Sequence, residues 1–99
     1  MYWRQSRYGV LEQMKAIALQ YKVDKLVLFG SRARGDHSPV SDYDIAVFER
    51  NLSAWEKASF CADVDEIETL KKIDIVFVND SATDDLLKNI TREGVIFYE

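Results

Sequence analysis

The sequence predicts an α/β (α+β) chain built on a mixed sheet of three to four strands, with helices mainly on one face. Three observations carry this. Short apolar runs at 25–29 (KLVLF), 43–48 (YDIAVF) and 73–78 (IDIVFV) have the length and composition of buried strands. Apolar residues at helical spacing precede or separate them. Only about a dozen residues join the first two runs, near the minimum for a parallel crossover, so those strands are expected to be antiparallel.

The elements follow in order. Val10, Met14, Ile17 and Tyr21, with Leu11 and Ala18 beside them, predict a helix at about 6–22. The run 25–29 is a strand ending at Gly30, and 43–48 is a second strand. Ser53-Ala54-Trp55-Glu56 fits a capping box, in which the serine and glutamate side chains each bond the other's backbone N–H. It opens a helix carrying Phe60, Val64 and Ile67, which permits a parallel crossover to the third strand at 73–78. Leu86, Leu87 and Ile90 predict a last helix stopped by Gly94. Asp84 and Asp85 fall in its first turn, where acids favour the helix dipole. The segment 95–98 (VIFY) is expected as a fourth, edge strand. The sole proline, Pro39, lies near Gly30 and Gly35, so the most irregular backbone is expected there.

A length of 99 residues points to one domain, 1–99. Hydrophobic residues at 47% and charged ones at 30% argue for a folded globule rather than disorder. The formal net charge of −4 disfavours a polynucleotide partner but leaves room for a small nucleotide whose charge is met by metal. A lone cysteine, Cys61, builds neither a disulfide nor a cysteine-rich zinc site within the chain. It reads as a small core residue near Ala58 and Ala62. The opening MYWRQSRYGV lacks the apolar core of a signal peptide. No apolar run approaches the roughly 20 residues that span a bilayer. The expectation is a soluble, cytoplasmic protein.

The chemistry concentrates in FGSRARGDHSPVSDYDIAV, residues 29–47. Asp42 and Asp44 stand two apart at the head of a strand, so they share a face with Ala46 and Phe48, while Tyr43, Ile45 and Val47 point the other way. Two like charges on one face repel and raise each other's pKa unless a cation compensates. Asp74, inside an otherwise apolar strand, joins them if the second and third strands are adjacent and parallel. Three carboxylates suit hard cations such as Mg²⁺. Two such ions would stabilise both the attacking and the leaving oxygen of a phosphoryl displacement. Upstream, Gly30 allows close backbone approach, and the backbone N–H groups and Ser31 hydroxyl at a helix start make an anion site. Arg32 and Arg34 add positive charge. Neither the P-loop nor the dinucleotide glycine spacing is present. The competing reading is a plain turn, with these aspartates facing water.

These residues resemble the signature of the DNA polymerase β-like nucleotidyltransferases: G-S-x-A-x-G, a spacer, then S-D-x-D before an apolar strand. The shortness of the chain and the placing of Asp74 resemble the minimal nucleotidyltransferase (MNT) branch. The resemblance implies a polymerase β palm-like fold. It implies that Gly30 and Ser31 hold the β- and γ-phosphates of a nucleoside triphosphate, with Arg32 and Arg34 beside them. Asp42 and Asp44 would bind Mg²⁺, and Asp74 would complete the metal site and help activate an acceptor hydroxyl. It further implies ATP as substrate and a partner, a HEPN-domain toxin, on which AMP is transferred to a tyrosine by this chain acting as antitoxin. A non-catalytic module that neutralises a partner by contact, and transfer to a small molecule by a homodimer sharing one site, are the alternatives.

Other residues read more plainly. His37 is expected to be solvated in its loop. Tyr2, Trp3 and Tyr8 with Arg4 and Arg7 suit either an interface or packing on the chain's own sheet. Asp63, Asp65, Glu66 and Glu68 form an acidic helix face, read as solvated surface or as a landing place for a basic partner.

Overall fold

The computed structural model describes residues 9–35, 42–67, 69, 72–81 and 83–99. In order these give α1 (Val10–Ala18), β1 (Val23–Phe29), α2 (Ser31–Arg34), β2 (Tyr43–Glu49), α3 (Ala54–Asp65), β3 (Ile73–Phe77), α4 (Val78–Ser81), α5 (Asp84–Glu93) and β4 (Val95–Tyr98). The sheet order is β3-β2-β1-β4. β1 is antiparallel to both β2 and β4, while β2 and β3 are parallel. The mixed sheet, the parallel crossover through α3 and the edge position of β4 all match the sequence expectation.

Strand alternation divides the core in two. Leu26, Leu28, Ile45 and Val47 pack with Met14 and Ile17 of α1 and Phe60 and Val64 of α3 in the larger cluster. Val27 and Ala46 point to the opposite face and pack with Ile90 of α5, joined by Phe29, Phe48 and Leu86. The main helical layer is therefore α1 with α3, and α5 adds a smaller one on the other face.

Three boundaries differ from the sequence reading. Among the described residues α1 ends at Ala18, not near 22, because bonds from Gln20 N to Ile17 O (2.9 Å) and Tyr21 N to Ala18 O (3.1 Å) tighten the chain into turns before β1. β1 begins at Val23, earlier than the apolar run suggests, with a register irregularity between Val23 and Lys25. β3 stops at Phe77, and Val78 opens a single helical turn where the Asn79 side-chain amide donates to the Glu49 carbonyl. That bond ties α4 to the end of β2. The expected start of the first helix at 6–8, the Tyr2/Trp3/Tyr8 and Arg4/Arg7 cluster, His37, Pro39 and Glu68 lie outside the described residues.

The capping box forms as read. Glu56 N donates to Ser53 Oγ at 3.1 Å and Ser53 N to Glu56 Oε1 at 3.0 Å. Ser53→Ala is expected to cost about 1 kcal/mol, read as a lower urea midpoint at unchanged slope. At α5, Thr83 Oγ1 accepts from Leu86 N at 3.2 Å, with Asp84 and Asp85 in the first turn as expected. Among the described residues, no helix is long and apolar enough to cross a membrane.

Candidate functional site

The sheet register brings the chemistry together. Asp44 sits between Phe29 of β1 and Asp74 of β3, directly opposite each. Opposed residues on neighbouring strands present their side chains to the same face, about 4.8 Å apart across the sheet. Asp44 and Asp74 therefore stand side by side, on the face that carries Ala46 and Phe48. Asp42 lies one residue before β2, exposed, and Tyr43 N is anchored to Lys72 O at 2.9 Å. That bond holds the heads of β2 and β3 together.

Electrostatics mark this spot. Burial pushes the Asp44 carboxyl above the usual carboxylate range, and the charges of Asp74 and Asp42 push it further, while Arg34 draws it back. Lys72 Nζ lies 3.4 Å from Asp74 Oδ1. Among the described residues, no three His, Cys, Asp or Glu side chains close into a metal cage. Asp44 and Asp74, with the exposed Asp42 ahead of them, are oxygen donors of the kind a hard divalent cation takes, but an open set in which water and phosphate oxygens would supply the remaining ligands. Their mutual repulsion at Asp44 is the feature that such a cation would relieve.

The glycine turn abuts the same carboxylate. Gly30 has φ 77° and ψ −158°, and a Cβ there would overlap the Asp44 side chain. α2 follows at once, its first bonds running from Ala33 N and Arg34 N to Gly30 O, both 3.1 Å. The amides of Ser31 and Arg32 precede those bonds at the opening of the turn, which is how the fold can offer N–H groups to an anion.

The two arginines part company, which the sequence did not separate. Arg34 lies toward Asp44, and its Nη1 is 3.5 Å from Glu93 Oε1 at the end of α5. The Arg32 guanidinium instead stacks 4.1 Å from the centre of the Tyr43 ring. Tyr43 faces the larger core, so Arg32 is turned to the other side of the sheet from Asp44. There, with Val10, Leu11 and Leu28, it lines a cavity of about 370 Å³ at the start of α1. Glu93 was missed by sequence reasoning, for nothing local ties it to the glycine turn 60 residues earlier.

A family model for polymerase beta nucleotidyltransferases matches residues 12–99. Among solved structures, a chain from a toxin–antitoxin with AMP-PNP aligns with a TM-score of 0.67 at 21% identity, covering 89% of this chain and 72% of that one. A chain from a mutant of the toxin–antitoxin MntA–HpeT aligns at 0.66 and 19% identity, over 89% and 72%. A protein from Sulfolobus solfataricus, described as a nucleotidyltransferase, aligns at 0.56 and 20% identity, over 90% and 76%. At such identities the likeness establishes a shared fold. Comparison with curated proteins gives no significant match.

Proposed function

This chain belongs to the polymerase beta nucleotidyltransferase family, and we propose that it is a Mg²⁺-dependent adenylyltransferase acting as the antitoxin of a toxin–antitoxin pair. It moves AMP from ATP to a tyrosine hydroxyl of a HEPN-domain toxin, in the cytoplasm, as a single minimal domain. The observation that carries this reading is the direct pairing of Asp44 with Asp74 beside the Gly30 turn. The toxin–antitoxin neighbours, one of them with AMP-PNP, support a toxin as partner and a nucleotide as ligand.

The residues divide the work. Gly30 and Ser31 receive the β- and γ-phosphates through the opening amides and hydroxyl of the turn, and Arg34 adds charge from the Asp44 side. Arg32, stacked on Tyr43, supports the turn from behind. Asp42, Asp44 and Asp74 would hold Mg²⁺, two ions between them, and bound Mg²⁺ neutralises the phosphate charge during transfer. The acceptor oxygen attacks the α-phosphorus and its proton passes to Asp74. The bond from the α-phosphorus to the pyrophosphate oxygen breaks, and pyrophosphate leaves. Positioning and charge stabilisation do most of the work in such displacements.

The test is label transfer. With Mg²⁺ and the protein encoded beside this chain, ATP labelled at the α-phosphate is expected to mark that neighbour, whereas γ-labelled ATP does not. Asp42→Ala removes the mark. If no label is transferred and Asp42→Ala still protects cells from the neighbour, the chain neutralises by contact and the enzymatic reading is wrong.

A further inference from the structure

α3 is apolar on two sides. Phe60 and Val64 enter the core. Ala54, Trp55, Ala58 and Ala62 are all exposed on the outside. The small side of this helix is thus its outer side, not a core side as the sequence suggested, and Cys61 is only half-buried. Trp55 leaves 79% of its surface in solvent. A helix of a soluble domain ordinarily turns one apolar stripe to its core and polar residues outward, so a second apolar side invites a cover. Trp55, Ala58, Ala62 and Asp65 follow at intervals of three, four and three, the spacing of a seam between two packed helices. The alanines form a low ridge that lets another backbone approach. Trp55 is an aromatic anchor of the kind that dominates interface energies.

The seam ends in negative charge. Asp63, Asp65 and the C-cap Glu66 gather at the negative pole of the helix dipole, with no basic residue in the last turn. Asp63 accepts from the Tyr21 hydroxyl at 2.6 Å, and Asp65 and Glu66 are both solvent-exposed. This arrangement complements cations. A second copy of the chain is a poor supplier, since each carries −4 and the base near the start of α3, Lys57, is turned to the buried Glu49 at 3.8 Å. α3 also runs back from the end of β2 to the start of the parallel β3, so its acidic end lies at the end of the sheet that holds Asp44 and Asp74.

We propose that the Trp55–Ala58–Ala62 seam of α3 docks an α-helix of a separate, basic protein partner, whose lysine or arginine side chains meet Asp65 and Glu66. The proposal rests on the toxin-partner reading above and deepens it by naming the surface. The test uses the full chain and the purified product of the neighbouring gene, titrated calorimetrically. Ala58→Arg/Ala62→Arg, on exposed helix positions that tolerate arginine, is expected to weaken binding about 100-fold while ATP binding and the melting midpoint stay unchanged. Asp65→Lys/Glu66→Lys is expected to weaken it about tenfold and to flatten its salt dependence. Binding within threefold of the unsubstituted chain for both variants overturns the α3 surface and leaves the partner standing. No binding by the unsubstituted chain overturns the partner itself. A homodimer in sedimentation that Ala58→Arg/Ala62→Arg dissolves also overturns the proposal, by giving the seam to a second copy.

Discussion

Asp44→Asn is expected to abolish nucleotidyl transfer, by on the order of 10³-fold or more, without lowering the melting temperature measured in chelator. The two halves of this expectation share one cause. Asp44 occupies the centre of the carboxylate group, opposed by Asp74 and two residues from Asp42. Burial and those two neighbours push its carboxyl up against the pull of Arg34, so the ionised carboxylate is held less comfortably in the folded chain than in the unfolded one. An amide of the same shape removes that repulsion, and the apo fold loses nothing. What it loses is ligand: a neutral amide is a far weaker partner for Mg²⁺ than a carboxylate. The melting temperature of the unsubstituted chain should therefore rise when Mg²⁺ and ATP are added together, and that of Asp44→Asn should not. A variant that melts well below the parent in chelator would mean that Asp44 serves the fold. A variant that still transfers AMP at a tenth of the parent rate would remove it from the metal site.

The strands were legible because their chemistry is redundant. The runs around Leu26, Ile45 and Ile75 are apolar on both faces of the sheet, and both faces are covered. The antiparallel sense of β1 and β2 followed from the short connection, and the parallel sense of β2 and β3 from the helix between them. The boundaries that escaped were settled by contacts distant in sequence. Val78 continues an apolar pattern that reads as strand, yet the bond from Asn79 to the Glu49 carbonyl, 30 residues away, turns the chain into α4.

The site was half legible for a related reason. Asp42 and Asp44 announce themselves by spacing, and Asp74 by being an acid in an apolar strand. Whether Asp74 met Asp44 was a question of register, which only the assembled sheet answers. The different fates of Arg32 and Arg34 turn on side-chain direction in a single helical turn, where residues two apart diverge. Tyr43 on one face and Glu93 on the other then receive them. Composition likewise hid the outer face of α3, because Cys61 with Ala58 and Ala62 reads as a core side until the burial of each is seen.

Gly30→Ala is expected to cost at least about 2 kcal/mol of stability together with most of the activity. Two terms combine. The backbone at φ 77° and ψ −158° lies in a region nearly closed to any residue with a Cβ. The new Cβ would also press on the Asp44 carboxylate. Gly35 separates these terms, because its φ of 86° and ψ of 3° are left-handed but nothing lies within 4 Å of a Cβ there. Gly35→Ala should then cost only about 1 kcal/mol and leave transfer within a few-fold of normal. A double-mutant cycle completes the separation. If overlap with Asp44 carries part of the Gly30→Ala cost, that cost must shrink in an Asp44→Ala background, where the overlapping atoms are gone but the backbone strain remains. An unchanged cost would assign the whole effect to backbone strain. The glycine would then be required by the turn itself and not by the closeness of the proposed phosphate cradle to the carboxylate proposed to bind metal. The proposed chemistry needs that closeness, since a triphosphate must touch both at once.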